Sequence, residues 1–168
     1  MVLLLFVTGC SSGVTRYSAP AATALRVSES NKVGEVNLAL SAEAKEDLKD
    51  NLKFDQEELR KHVERALAGY AVLDASKKGQ LPQVEILVTA IRVRSNFSAV
   101  MWGFMAGSDS IAGDVVIKDP TGKEIDRFKV KAAYALGGIA GGQDGTRLDW
   151  LYEAFAKETL KELTGTKD

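Results

Sequence analysis

Val84-Glu85-Ile86-Leu87-Val88-Thr89-Ala90-Ile91-Arg92-Val93-Arg94 is the stretch around which the rest of the chain can be ordered. β-Branched and aliphatic side chains dominate it, and these suit the pleated surface of a central strand. In its second half Ile91 and Val93 alternate with Arg92 and Arg94, so one face turns to solvent there. Upstream, Asp55–Val72 has helical spacing. Leu59, Val63, Ala66, Leu67 and Tyr70 fall on one face, while Glu57, Arg60, Lys61 and Glu64 face water. Asp55 followed three residues later by Glu58 is a capping-box-like start with Asp in the Ser/Thr role, and Pro82 closes the turn that follows the helix. Downstream, Ile111–Lys118 and Glu124–Ala133 form a hairpin around the turn sequence Asp119-Pro120-Thr121-Gly122. The pairing register is open near Phe128.

Further out, Asp144–Leu163 predicts a second long helix, with Leu148, Leu151, Phe155, Thr159, Leu160 and Leu163 in one apolar stripe and Gly165 at its end. Thr23–Ser28, through Leu25 and Val27, is a candidate first strand. Val33–Leu40 is apolar at Val36, Leu38 and Leu40 and reads as a second short strand or an ordered loop. Ser41–Asn51 begins with a capping Ser and has few apolar residues, so it predicts a surface helix. The order strand, helix, three strands, helix implies an α/β two-layer sandwich with a small, mostly antiparallel sheet and two main helices. The strands joined through the first helix are parallel neighbours or one strand apart.

A chain of 168 residues suits one domain, and its 45% hydrophobic and 27% charged residues are ordinary for a globular protein. The net charge of −1 lacks the Lys/Arg excess that a nucleic-acid binder needs. One Cys excludes an internal disulfide, a Cys-based zinc site or an iron–sulfur cluster, and one His argues against a His-rich metal centre. No cofactor is expected.

Met1–Val7 (MVLLLFV) is an apolar run that leads into Val7-Thr8-Gly9-Cys10. The pattern resembles a bacterial lipobox, with an aliphatic residue three before a Cys and small residues between. That resemblance implies cleavage between Gly9 and Cys10, and a diacylglyceryl thioether and acylated amine (palmitate among the chains) on Cys10. Several acyl chains on one residue give stable anchoring. The run is short and carries no Lys or Arg before it, which reads as a true start upstream. Ser11 and Ser12 follow in place of Asp, which implies export to the outer membrane with the domain facing the periplasm. The expected organisation is a signal peptide over 1–9, a small-residue lipidated tether over 10–22 and one periplasmic domain over 23–165. No other segment approaches the ~20 apolar residues of a spanning helix.

Together these pieces resemble a known family. The lipobox precedes an amphipathic helix and a strand ending in Arg-Val-Arg-Ser. Then come the segment AVMWGFMAG (Ala99–Gly107), the strand–DPTGK–strand hairpin, the GGIAGG segment and a closing helix. This arrangement is similar to the bacterial lipoprotein family known as the domain of unknown function 4410, from about Leu25 to Leu163. The resemblance implies a cell-envelope lipoprotein without an assigned activity.

Residue by residue, chemistry is sparse. Gly137–Gly142 lies between strand and helix, where a phosphate-cradling loop would sit. Neither the Lys-Ser/Thr of a Walker motif nor GxGxxG spacing is present, so it reads as a connector. Met101, Trp102, Phe104 and Met105 bring large adaptable side chains into a Gly-punctuated connection, either as a partner contact or as a plug of the core. Arg92 and Arg94, with Lys118 and Lys129 nearby, could meet an anionic glycan, a headgroup or an acidic partner, or could belong to an ordinary charged sheet face. His62 reads as a helix-boundary residue. No spacing singles out a catalytic pair among Asp109, Asp114, Asp126, Asp149 and Glu153. The expectation is a non-catalytic binding or assembly module, anchored through Cys10, whose partner is an envelope protein or the chain itself. Its competitors are a homo-oligomeric structural subunit and, further off, an enzyme acting on envelope glycans or lipids.

Overall fold

The computed structural model describes residues 12–17, 26–49, 53–93, 108–134 and 144–166. Five strands form one sheet: β1 (Gly13–Arg16), β2 (Glu35–Leu40), β3 (Gln83–Arg92), β4 (Asp109–Lys118) and β5 (Glu124–Tyr134), in the order β1-β5-β4-β3-β2. Three helices lie among the described residues: α1 (Ala42–Asp47), α2 (Gln56–Gly69) and α3 (Asp144–Thr164), with one 3₁₀ turn at Ala75–Lys77. β2 and β3 run parallel, joined through α1 and α2, and every other pairing is antiparallel. The expected two-layer α/β sandwich is the observed architecture.

The core explains the layers. Val84, Ile86, Val88 and Ile91 of β3 are buried, as are Ile111, Val115 and Ile117 of β4 and Phe128 and Val130 of β5. They meet Leu59, Val63 and Leu67 of α2 and the Leu148–Leu163 stripe of α3. These periods of two and of about 3.6 put one face of each element in the same interior. At Gly113 of β4 an added Cβ would stand 3.1 Å from the Leu87 carbonyl oxygen and 3.3 Å from Phe155 Cζ, so glycine lets α3 reach the sheet beside the Val88/Ala90 irregularity in β3.

Several expectations change on contact with the fold. Gly13–Arg16, inside the stretch read as tether, is the edge strand β1, paired with Phe128–Lys131. Its Arg16 sits 5.6 Å over the Phe128 ring and pairs with Asp126 (2.9 Å) and with Glu162 of α3. Thr23–Leu25 lie outside the described residues. Arg26 and Val27 are not in a strand, and Ser28 makes only an isolated bridge with Asn31. Val27 is buried instead under the end of α3, where its N–H donates to the Leu163 carbonyl at 2.9 Å. Val33–Leu40 is the strand alternative, as β2, and Ser41 caps α1 by accepting from the Ala44 N–H at 3.1 Å. Tyr70 ends α2 and is exposed, so it leaves the apolar face on which it was expected. The β4–β5 register runs unbroken past Phe128, opposite Val115, and shifts only at Ile117/Lys118.

The start of α2 shows tertiary structure completing a local motif. The Asp55 carboxylate accepts from the N–H groups of Glu57 (2.8 Å) and Glu58 (3.2 Å). Glu58 does not reach back to the cap, because it pairs with Lys61 at 2.7 Å. The Asp55 N–H donates instead to the Tyr152 hydroxyl of α3 at 2.8 Å. Burial is the main cause that pushes the Tyr152 phenol from 10.0 up to about 12. An acid whose folded pKa is raised is less willing to ionise folded than unfolded, so its contribution to stability is lost as pH rises through that interval. Stability should therefore fall between about pH 10 and 12. In urea melts across that range, Tyr152→Phe should flatten the fall while lowering neutral-pH stability by about 1 kcal/mol for the lost hydrogen bond. An unchanged slope would show that another group governs it.

Candidate functional site

The two long helices cover one face of the sheet, and no described element covers the other. The bare face carries Asn37 and Ala39 of β2, Glu85 and Leu87 of β3, Asp114, Val116 and Lys118 of β4, and Arg127 and Lys129 of β5, all set there by strand alternation. A shallow cleft of about 320 Å³ crosses it, lined by Leu87, Val116, Lys118 and Arg127 among others. Leu87 is 41% exposed there. Charged groups rim the cleft in pairs. Lys118 meets Glu85 at 2.5 Å, Arg127 meets Glu124 at 2.7 Å, and the Tyr17 hydroxyl donates to Asp114 at 2.6 Å. That hydrogen bond is the first cause holding the Tyr17 phenol above its ordinary range, and Arg127 likewise holds the Glu124 carboxyl below its own.

Among the sequence candidates, Cys10, Arg94, Met101, Trp102, Phe104 and Met105 lie outside the described residues, as does the GGIAGG segment. Arg92 is the exposed last residue of β3, opposite Ser110 on the bare face. Lys118 shares that face but stands eight β4 residues from Ser110, roughly 27 Å away. Lys129 faces Asp114 across the β4–β5 pair. The structure therefore spreads these cations over the sheet and sets carboxylates against Lys118 and Lys129.

His62 is half-buried on α2 with its ring 5.6 Å from that of Tyr152. Burial, then the Arg65 charge, holds its pKa below the ordinary value. Asp149 and Glu153 are exposed on α3. Among the described residues no group of three or more His, Cys, Asp or Glu side chains is placed to hold a metal ion, and no helix is long and apolar enough to cross a membrane.

Two features escaped the sequence. Asp109 at the start of β4 and Arg147 in the first turns of α3 are 0% and 1% exposed, with Nη1 3.5 Å from Oδ2. Arg147 precedes Leu151 and Phe155 at intervals of four, so its place on the apolar stripe was the available signal. The second is an aromatic pair at the same end of the sheet. The ring of Tyr134 is stacked on that of Trp150 at 6.4 Å, and Trp150 is 56% exposed.

Among the described elements, helices cover one side of the sheet, and on the other side paired charges surround an apolar cleft. The family model for the domain of unknown function DUF4410 matches residues 20–138, more than half of the chain, and the chain belongs to that family. No curated protein matches it. Among solved structures it is similar to a point variant of the PelC dodecamer from Paraburkholderia phytofirmans, at 13% identity over 89% of this chain and 96% of that one, with a TM-score of 0.48. It is similar to the unsubstituted PelC dodecamer of the same organism at 11% identity over 86% and 94%, with a TM-score of 0.49. An uncharacterised protein of known structure is similar at 15% identity over 83% and 93%, with a TM-score of 0.46.

The buried ion pair gives a prediction. Breaking a buried ion pair costs more than replacing both partners with apolar groups, which removes the desolvation cost along with the attraction. Asp109→Leu or Arg147→Met alone should lower stability by about 3–5 kcal/mol in urea unfolding, and the double variant should recover most of it. Additive losses would show that the two side chains are not coupled.

Proposed function

We propose that this chain is a cell-envelope lipoprotein, anchored through Cys10 and facing the periplasm from the outer membrane, whose domain works by binding or assembly with a partner and not by catalysis. The observation that carries the reading is the bare sheet face with its apolar cleft and the exposed Leu87. Apolar surface rimmed by polar groups favours contact with another molecule. The lipobox-like Val7–Cys10 supplies the anchor. β1 begins three residues after Cys10, a reach of at most ~10 Å, so a lipidated Cys10 would hold the sheet close to the bilayer surface. Met101, Trp102, Phe104 and Met105, with Arg92 and Arg94, form a second candidate contact, since their segment joins β3 to β4 at one end of the same sheet.

Two measurements check this. Metabolic labelling with an alkynyl palmitate should mark the chain and be abolished by Cys10→Ser, with release from the membrane fraction. Label persisting in Cys10→Ser would remove the anchor from the reading. A photo-crosslinking residue at Leu87 or at Trp102 in intact cells should give an adduct to one envelope protein. Folded, exported variants that give no adduct at either position would sink the partner reading.

A further inference from the structure

The two edges of the sheet are treated differently. At the far edge β1 is only four residues long, and Arg16 ties its end to Asp126 and Glu162. At the near edge, β3 extends beyond the end of β2, and there α1 takes over the role of a neighbour. The Ile91 N–H donates to the Asp47 carboxylate of α1 at 2.9 Å. Ahead of β2, Val33 bonds to Val72 and Asp74, and the Gly34 N–H donates to the Pro82 carbonyl at 2.8 Å. Beside these contacts lies Glu35-Val36-Asn37-Leu38-Ala39-Leu40, which among the described residues is paired with β3 on one side only. It carries no Lys, Pro or bulge, the usual devices that blunt an edge, and its one charge, Glu35, is met by Lys78 at 2.6 Å.

The backbone phase of this edge is fixed. The Ser41 N–H donates to the Val88 carbonyl at 2.9 Å, so the odd-numbered residues of β2 bond to β3. By alternation in a parallel ladder, Val36, Leu38 and Leu40 turn their N–H and C=O groups outward. Asn37 and Leu38 line the cleft of the bare face and also a second cleft of about 580 Å³ on the helix side, bounded by Arg60 and Leu73. An added strand would therefore find room for side chains on both faces.

We infer that the free edge of β2 receives the β2 of a second copy of this chain, antiparallel, so that two five-stranded sheets join into one. The occupant follows from self-complementarity, the requirement of a two-fold interface. With Leu38 opposite Leu38 of the second copy, Val36 meets Leu40, Asn37 meets Ala39 and Glu35 meets Ser41. Apolar residues meet apolar ones on the helix side, and no like charges stand opposite each other. The residues opposed at Leu38 and at Val36/Leu40 are those with outward backbone groups, so they exchange hydrogen bonds directly. Leu38 and Leu40, half-exposed in the single chain, become covered. A two-fold axis normal to the sheet leaves both β1 strands at the outer ends, away from the join. This inference does not depend on the partner reading of the bare face.

The test is oligomeric mass and cross-linking of the full chain. Purified from membranes in detergent, it should sediment with twice the mass of the single chain as mass spectrometry gives it, plus bound detergent. Leu38→Pro removes an outward N–H at an edge, where proline is tolerated, and leaves the β2–β3 ladder intact. It should weaken dimerisation about tenfold or more with the circular dichroism unchanged. Because that variant also loses a leucine side chain, Leu38→Cys provides an independent reading. Hydrogen-bonded antiparallel partners have Cα atoms about 5.5 Å apart, within disulfide range, so mild oxidation in cells should give a covalent homodimer. Thr15→Cys on β1 should give none. A single-chain mass at every concentration with no disulfide from Leu38→Cys overturns the inference. So does a homodimer that forms through Thr15→Cys alone. A mixed disulfide between Leu38→Cys and a different protein also overturns it, while leaving the partner reading standing.

Discussion

Apolar rows on β3, β4 and β5 must be taken out of water, and among the described elements two long helices do it. Val88, Val115 and Phe128 lie on one side of the sheet, in one core with Val63 and Leu67 of α2 and with Leu151 and Phe155 of α3. Gly113 permits the closest approach, since a side chain there would crowd Phe155 and the backbone of β3. Two helices of 14 and 21 residues cover one face of a five-stranded sheet and leave no described element to cover the other. The bare face, with Leu87 and Val116 among paired charges, is the consequence. Such a surface suits contact, and the proposed role as a binding or assembly module begins from it.

Cross-links between elements then fix where the layers sit. The Asp55–Tyr152 hydrogen bond locks the start of α2 to the middle of α3. The buried Asp109–Arg147 pair joins the start of β4 to the start of α3. Arg16 holds β1 to β5 and α3 at once. The Asp55 and Arg16 contacts reach far along the sequence, so each closes a long loop of chain. The edges follow the same logic. One is short and ion-paired, part of the other is covered by α1, and of the described strands β2 remains open as a template for another.

Much of this was legible from residue order alone. Long amphipathic segments show many repeats of a period, so α2, α3, β3 and the β4–β5 hairpin could be placed to within a few residues. The turn sequence Asp119–Gly122 also suffices locally: the Asp119 carboxylate accepts from the Thr121 N–H at 2.8 Å and the Lys123 N–H at 3.0 Å. β1 was not legible. Four residues are too few to show a period, and their strand exists because β5 offers unpaired backbone groups beside them. Val27 misled in the opposite direction, because a buried valine serves equally as strand or plug and only the end of α3 decides which.

The residue order by itself determined the class of fold and the lipobox-like pattern at Cys10, because both are written in short-range features: the period of apolar side chains, and a run of small residues before a cysteine. Tertiary structure alone decided which sheet face is bare, which edge is open and which charges are neutralised. Arg92, Lys118 and Lys129 look like one basic group along the chain, yet strand register spreads them over the sheet, with Lys118 paired to Glu85 and Lys129 opposite Asp114. The physical reason is that a side chain's surroundings depend on neighbours brought from far along the chain, and those neighbours are set by register and layer order, which no local pattern encodes.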